Sequence, residues 1–352
     1  MSTPVPTIIL GGSGYVAGEL LRLVLGHPQL KLAGVMSESQ AGSPIASAFP
    51  HLQAMLGDRA FDSKEQILER FGRGKLALLS AAPHGASAGL IGSLVTWARD
   101  RHTDLTVVDV SADFRFATPG AYEAVYKHPH GAPQLLEKFA CAVPEHLKAT
   151  DRPHIGHPGC FATAMLMAAV PLLKLNLVEP DLYAVGITGS TGAGRSPIAT
   201  THHPERHSNL FAYQALSHRH APEVMGICEH LAGTRPRLHF IPHSGPFARG
   251  IHMTVQAKLK GATSADDLRG ALAGFYVDSP FVTVTGELPR VKNVVGSNFC
   301  HIGVAVHSGS TAVMVVVDNL VKGAAGGAVQ WLNRKLGFEE TAGLTAPSVG
   351  WM

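Results

Sequence analysis

Near its N-terminus the chain runs from a short β-branched stretch, Thr7-Ile8-Ile9-Leu10, into Gly11-Gly12-Ser13-Gly14-Tyr15-Val16-Ala17-Gly18, and then into residues 19–25 with apolar side chains at helical spacing. A strand that feeds a helix through glycines leaves bare backbone at the helix N-terminus. Unpaired N–H groups and the helix dipole favour an anion there. This junction constrains the fold more than any composition value, because strand–turn–helix units stack into parallel sheets covered by helices. The rhythm continues with strand-like runs at 31–36, 76–81 and 105–110, separated by helical or loop stretches. "AAPHGAS" (81–87) and "DVSADFR" (109–115) each lie just past one of these runs. That is the edge of a doubly wound sheet where ligands bind.

The glycine turn resembles a dinucleotide-binding turn, although its glycines at 11, 14 and 18 depart from the strict spacing. At the end of the second strand stands Ser37-Glu38-Ser39. A carboxylate there suits the ribose 2′-OH of NAD, and small polar groups suit the 2′-phosphate of NADP. The residues by themselves leave both open.

After about residue 157 the texture changes. Strand candidates at 183–188, 237–241, 251–259, 281–285, 301–307 and 312–318 alternate apolar and polar residues, as in a largely antiparallel sheet with one wet face. Residues 319–336 return to helical periodicity and are expected to pack back on the first domain. The expected class is α/β: an N-terminal Rossmann-type doubly wound sheet plus an inserted α+β domain with a mainly antiparallel sheet. The expected division is 1–157 with 319–352 for the nucleotide domain and 158–318 for a catalytic and oligomerisation domain. The 352 residues suffice for two domains.

Charge and cysteine usage narrow the function classes. The net charge of +3 comes without a dense Lys/Arg tract, which argues against nucleic acid. The longest apolar stretch, 161–173, is too short to span a membrane. The first ten residues lack the pattern of a secretion signal, and Cys141, Cys160, Cys228 and Cys300 form neither a metal-ligand spacing nor a disulfide framework. A reducing cytoplasm is the expected compartment.

Three stretches could carry chemistry. In "HPGCFATA" (157–164), Cys160 would fall in the first turn of a helix, where the dipole favours a thiolate; the alternative is a small buried residue. "GSTGAGRSP" (189–197) is a second glycine-rich loop whose Arg195 could face an anion or simply be solvated. Five of the twenty histidines lie between 202 and 220. They could mark surface polarity, an acid/base partner for a cysteine, or a metal site, but no H-E-x-x-H type motif accompanies them. No metal is expected.

"GGSGYVAGELLRL", "APHG", "DVSADFR", "HPGCFATA", "GSTGAGRS", "HRHAPEV", "ARGIHMT" and "DNLVKGAAGGAVQ" follow one another in this order over essentially the whole chain. Together they resemble the N-acetyl-gamma-glutamyl-phosphate reductases of arginine biosynthesis, relatives of aspartate-semialdehyde dehydrogenase. The resemblance implies an NADPH-dependent acyl-phosphate reductase with Cys160 as nucleophile and His218 as acid/base, the order of roles between His218 and His220 being open. It implies substrate contacts at Arg115, Arg195, Tyr213, His220, Glu223 and Arg249. Cofactor contacts are implied at Gly11, Gly12, Ser13, Gly14, Tyr15, Val16, Ser37, Ser39, Pro83, Gly192 and Asn319, with NADP rather than NAD. Relatives assemble as homodimers or homotetramers. Ala17 stands where this family commonly has glycine. "TTHHPERHSN" (200–209) resembles instead the sister enzymes of lysine biosynthesis, which act on aminoadipyl phosphate carried by a small acidic protein. His202, His203, Arg206 and His207 could then form a basic rim. "STGAGR" and "HRHAPEV" place the acetylglutamyl substrate first.

Overall fold

Thr7 to Leu10 are all buried because β1 (Val5–Leu10) has a parallel neighbour on each side, and such a strand needs no polar face. A computed structural model describes residues 3–350. After β1 come α1 (Tyr15–Leu25), β2 (Leu30–Met36), the short α2 (Ile45–Ala48) and α3 (Gln53–Leu56), and α4 (Lys64–Arg70). Next are β3 (Gly74–Ser80), α5 (Ser87–Asp100), β4 (Thr103–Asp109), α6 (Pro119–Tyr126), β5 (Phe139–Cys141) and β6 (His154–Gly156). The six strands form one parallel sheet in the order β2-β1-β3-β4-β6-β5. The chain therefore reverses direction of travel at β1, and the glycine turn leaves the sheet at that switch point. Ile8, Leu10, Leu78, Val107 and Phe114 share one buried cluster, in which Phe114 stacks on Phe139 at 3.8 Å.

The rest of the chain gives α7 (Cys160–Lys174), β7 (Val178–Thr188), α8 (His203–Arg206), β8 (Phe211–Ala212), α9 (His220–Ala232) and β9 (Arg237–Ser244). It continues through β10 (Ile251–Leu259), α10 (Ala265–Phe275), β11 (Val282–Val284), β12 (Cys300–His307) and β13 (Ser310–Val317), and ends in α11 (Gly326–Leu336). Seven strands form a mixed sheet in the order β11-β12-β13-β10-β7-β9-β8. The pairs β7–β9 and β11–β12 are parallel and the others antiparallel. The apolar stretch 161–173 is explained here. It is the buried body of α7, which lies on β7, β10 and β13 and against α9. Each Leu or Met so buried contributes about 1.5–3 kcal/mol. Gly186 on β7 admits the Phe161 ring, since a Cβ there would lie 2.6 Å from it.

The chain divides into two compact units. Among the described residues, one holds 3–141, 149–157 and 325–345; the other holds 142–148, 158–324 and 346–350. In the first, α11 packs on β3, β4 and α1, and Asn333 bonds the His27 ring at 3.0 Å. The segment 319–336, expected as one helix, is instead a π turn, Val321–Ala325, followed by α11. The widened turn brings Gly323 against the start of α7, where a Cβ would stand 2.9 Å from that of Cys160. A single extra residue in a helical turn is a common device beside functional groups. Among the described residues no helix is long and apolar enough to cross a membrane.

Candidate active site

In the first unit the glycine turn is shaped by its neighbours. Gly11 has φ +82°, and a Cβ on it would meet the Ala82 backbone at 2.5 Å. Gly12 and Gly18 similarly face Val35 and Phe49, with hypothetical contacts of 2.7 Å each. Gly14, the residue capping α1, has open space above it. The glycines thus divide into those that close the turn and one that leaves the helix N-terminus bare. Ser13, whose N–H donates to Gly11, lies within the turn; Tyr15 is exposed and Val16 half-buried. Ala17 is wholly buried and fits without a glycine.

Past β2, Ser37 is buried and Ser39 exposed. Glu38 accepts the N–H of Lys64 at 3.1 Å, so its carboxylate is engaged at the start of α4. Exposed Pro83 belongs to the loop after β3, which is tied to the loop after β4. Asp113 accepts the Gly85 and Ala88 N–H groups at 2.8 and 2.9 Å, and His84 Nδ1 accepts that of Ala112. Buried Asp109 accepts the Ser87 and Ser111 hydroxyls, and burial raises its pKa. Neither aspartate was named from sequence; their position in "DVSADFR" was the available signal. Arg115 is buried, with Nε donating to the His157 carbonyl and Nη2 to that of Val110. It braces the chain just ahead of Pro158.

In the second unit Cys160 opens α7, with Gly159 as the cap in extended conformation. Glu223, buried on α9, accepts the Gly159 N–H at 2.8 Å. The side chain named from sequence as a substrate contact thus anchors the turn that carries the cysteine. Burial pushes the Cys228 thiol up to about 12 and raises that of Cys300, whereas Cys160 is only half-buried. Cys141 is half-buried too, but it ends β5, so Cys160 is the accessible thiol at a helix N-terminus, as thiolate chemistry favours.

Phe161, next to the cysteine, gathers the two histidines. His218 and His220 stand edge-on to its ring at 5.9 and 6.3 Å and are 4.7 Å from each other. His218 Nδ1 accepts the His220 N–H at 3.2 Å, so in the neutral ring Nε2 carries the proton. Burial, and then the Arg219 charge, lower the His218 pKa to about 4. Tyr213 lies edge-on to His218 at 5.7 Å; burial and the neighbouring Cys160 raise its phenol. Gln214 and Leu216, between them, have left-handed backbone with φ of 44° and 60°. Strain of this kind in non-glycine residues commonly marks a functional turn.

The remaining predicted residues form a second cluster. Arg249 pairs through Nε and Nη2 with both oxygens of wholly buried Asp318. Asn319 accepts the Gly250 N–H at 2.7 Å and donates to Thr191, fastening the loop after β7. Gly192 and Arg195 are exposed on that loop. Sequence reasoning missed Asp318, and also the ion pair of Lys322 with Glu145, whose side chains are both fully buried. Their partners lie 69 and 177 residues away, so no local pattern announces them. Among the described residues no group of three or more His, Cys, Asp or Glu could hold a metal ion.

Two family models match the chain: "Semialdehyde dehydrogenase, NAD binding domain" over residues 7–147 and "Semialdehyde dehydrogenase, dimerisation domain" over 160–319. An N-acetyl-gamma-glutamyl-phosphate reductase of Shouchella clausii is 38% identical, covering 96% of this chain and 97% of that protein. A Deinococcus radiodurans protein named LysW-L-2-aminoadipate 6-phosphate reductase is 37% identical, with 98% of each covered. Among solved structures, aspartate semialdehyde dehydrogenase II from Vibrio cholerae, complexed with ASA, superposes with a TM-score of 0.69 at 15% identity, covering 95% and 99% of the two chains. That likeness is one of fold. With near-full-length relatives at this identity, the chain belongs to the N-acetyl-gamma-glutamyl-phosphate reductase family, oxidoreductases built from the two semialdehyde dehydrogenase domains.

Proposed function

We propose that the protein reduces N-acetyl-gamma-glutamyl phosphate to N-acetylglutamate semialdehyde and inorganic phosphate with NADPH, in arginine biosynthesis, through a thioester on Cys160. The observation that carries the chemistry is Cys160 at the start of a buried helix, its turn anchored by Glu223, with Tyr213 near the thiol and His218 against the adjoining Phe161 ring. The Shouchella clausii relative supports the substrate.

The α7 N-terminus favours the Cys160 thiolate. Its sulfur attacks the acyl carbon, the carbonyl electrons move to oxygen, and phosphate departs as they return, leaving a thioester. NADPH, when bound, supplies the hydride that reduces this carbonyl. His218 exchanges a proton with the resulting thiohemiacetal oxygen; collapse to the aldehyde frees the sulfur. First-turn N–H groups of α7 favour the oxyanion at each stage. Arg195, Arg249 and His220 would meet the substrate's anionic groups, and Arg115 would act by bracing the His157 carbonyl.

The cofactor side fits a dinucleotide: Gly14 leaves the α1 N-terminus clear, and Gly11 and Gly12 close the turn beneath it. Engagement of Glu38 at α4 supports NADP, leaving Ser37 and Ser39 for the 2′-phosphate. Pro83 would add to this side, and Gly192 and Asn319 are proposed as cofactor contacts on the family resemblance alone. Residues 1–157 and 319–352 would act as the nucleotide domain, and 158–318 as the catalytic and oligomerisation domain. The protein would work in the cytoplasm as a homodimer or homotetramer.

The test runs the reaction backwards. N-acetylglutamate semialdehyde, phosphate and NADP or NAD are supplied, with Cys160→Ala as control. Turnover that requires phosphate and Cys160 and prefers NADP is expected. Its absence from folded, NADP-binding protein would sink the acetylglutamyl substrate. Exposed His202, His203 and His207 would then favour an aminoadipyl group on an acidic carrier.

A further inference from the structure

Arg206 ends the four-residue helix α8, in a segment whose residues 202–205 and 207–210 are all exposed, yet its own side chain is buried to 8% exposure. A guanidinium is among the costliest groups to take out of water without partners. Only Nη2 has one, the Phe247 carbonyl at 3.2 Å; Nε and Nη1 are out of reach of solvent and have no hydrogen-bond partner among the described residues. Burial lowers its pKa from the ordinary arginine value. The same Phe247 carbonyl accepts the Ser190 N–H, so the side chain stands against the glycine-rich loop after β7. That loop is fastened by Asn319 through Thr191 and carries Arg195.

We infer that Arg206 is an oxyanion-binding residue: its buried Nε and Nη1 donors are kept for a carboxylate or phosphate group of the substrate. Guanidinium presents donors in a planar fork that matches either group. Arg206 thereby leaves the exposed rim that sequence suggested for His202, His203 and His207. The inference rests on the proposed substrate, which bears one carboxylate and one phosphoryl group. Because Nε and Nη1 are covered, binding requires residues 202–209 to shift. A purely structural arginine of this kind would be hard to account for, because replacing it with an apolar side chain should stabilise the protein.

The test uses Arg206→Met and Arg206→Lys in the full chain, with thermal unfolding read in chloride of fixed ionic strength, then with N-acetylglutamate or inorganic phosphate added. Without either probe, Arg206→Met should unfold about 2 °C or more above wild type. At least one probe should raise the wild-type Tm, with affinity at least about tenfold weaker in Arg206→Met and intermediate in Arg206→Lys. Dependence on N-acetylglutamate alone assigns the carboxylate, and dependence on phosphate alone assigns the phosphoryl group. Should neither probe bind wild type, or both bind Arg206→Met equally well, the proposal fails. A loss of Tm in Arg206→Met without any probe dependence also overturns it. Turnover of N-acetylglutamate semialdehyde is scored separately, so an inactive wild type would sink the substrate and leave the anion result standing.

Discussion

At the scale of single residues, the contact between Glu223 and the Gly159 N–H separates two roles that look alike in sequence. Glu223→Gln keeps an oxygen acceptor and should leave stability within about 1 kcal/mol of wild type. Glu223→Ala leaves a buried donor unpaired and should cost about 1.5–3 kcal/mol, measured by denaturant unfolding. Equal effects of the two variants would show that the hydrogen bond is not what matters. His218 makes a prediction about pH. Its folded pKa of about 4 keeps the ring neutral through the physiological range, so its contribution to kcat/KM should persist to about pH 5 and fall below. Comparing the pH profiles of wild type and His218→Asn isolates that contribution. The variant should also lose about 10²–10⁴ in kcat while binding NADPH nearly as well. A wild-type-specific loss centred near 6.5 would overturn the lowered pKa, and profiles of the same shape and height in both proteins would remove His218 from the role.

At the scale of elements, the π turn and α7 meet at Gly323 and Cys160. A methyl at 323 would stand 2.9 Å from the cysteine Cβ, closer than real side chains come. Gly323→Ala should therefore displace the nucleophile and reduce kcat by about 10², with circular dichroism unchanged. Unaltered kcat would mean that the turn yields without moving the sulfur. Periodicity predicted a helix over 319–336 because Val321, Val329 and Leu332 keep helical spacing on either side of the break. The extra residue of the π turn is invisible to that signal. It accompanies a close approach to the start of α7, which the missing side chain of Gly323 allows. The glycine turn after β1 was more legible, since a positive φ and a backbone neighbour at 2.5 Å leave no other residue for position 11.

On the scale of the whole molecule, β7 buries Leu182, Ala184 and Gly186 and exposes Tyr183 and Val185, with Tyr183 stacked on His239 of β9 at 4.6 Å. We propose this exposed face, in a unit that matches a dimerisation-domain model, as the surface for a second copy. Tyr183→Arg is expected to shift the particle toward monomer in light scattering; an unchanged mass would place the interface elsewhere. Buried histidines should also set the acid limit of stability. His146, His154 and His218 have folded pKa values of about 3, 4 and 4, lowered chiefly by burial, against 6.5 unfolded. As pH falls below 6.5 the unfolded chain takes up protons that these folded rings refuse, so stability declines toward pH 4. Tm should drop between pH 6.5 and 5, less steeply in His146→Gln, which retains a donor for Tyr276. A slope identical in the variant would exclude His146 as a source.

What the sequence determined by itself was whatever depends on neighbours along the chain. The strand–glycine–helix start, the βαβ rhythm of the first sheet, the alternation of the second, and a cysteine at a helix start are all local patterns, and the first three set the architecture. Ordered motifs over the full length pointed to the family. Tertiary structure decided which side chains have partners far off in sequence. Arg249 pairs with Asp318 through two of its nitrogens, Glu38 meets the start of α4 and Glu223 meets Gly159, while Arg206 sits buried with two donors unpartnered among the described residues. The physical reason is that burial and hydrogen bonding belong to the folded environment. Residue type supplies the chemical group, and the surroundings set its charge, its orientation and whether it still has a bond to give.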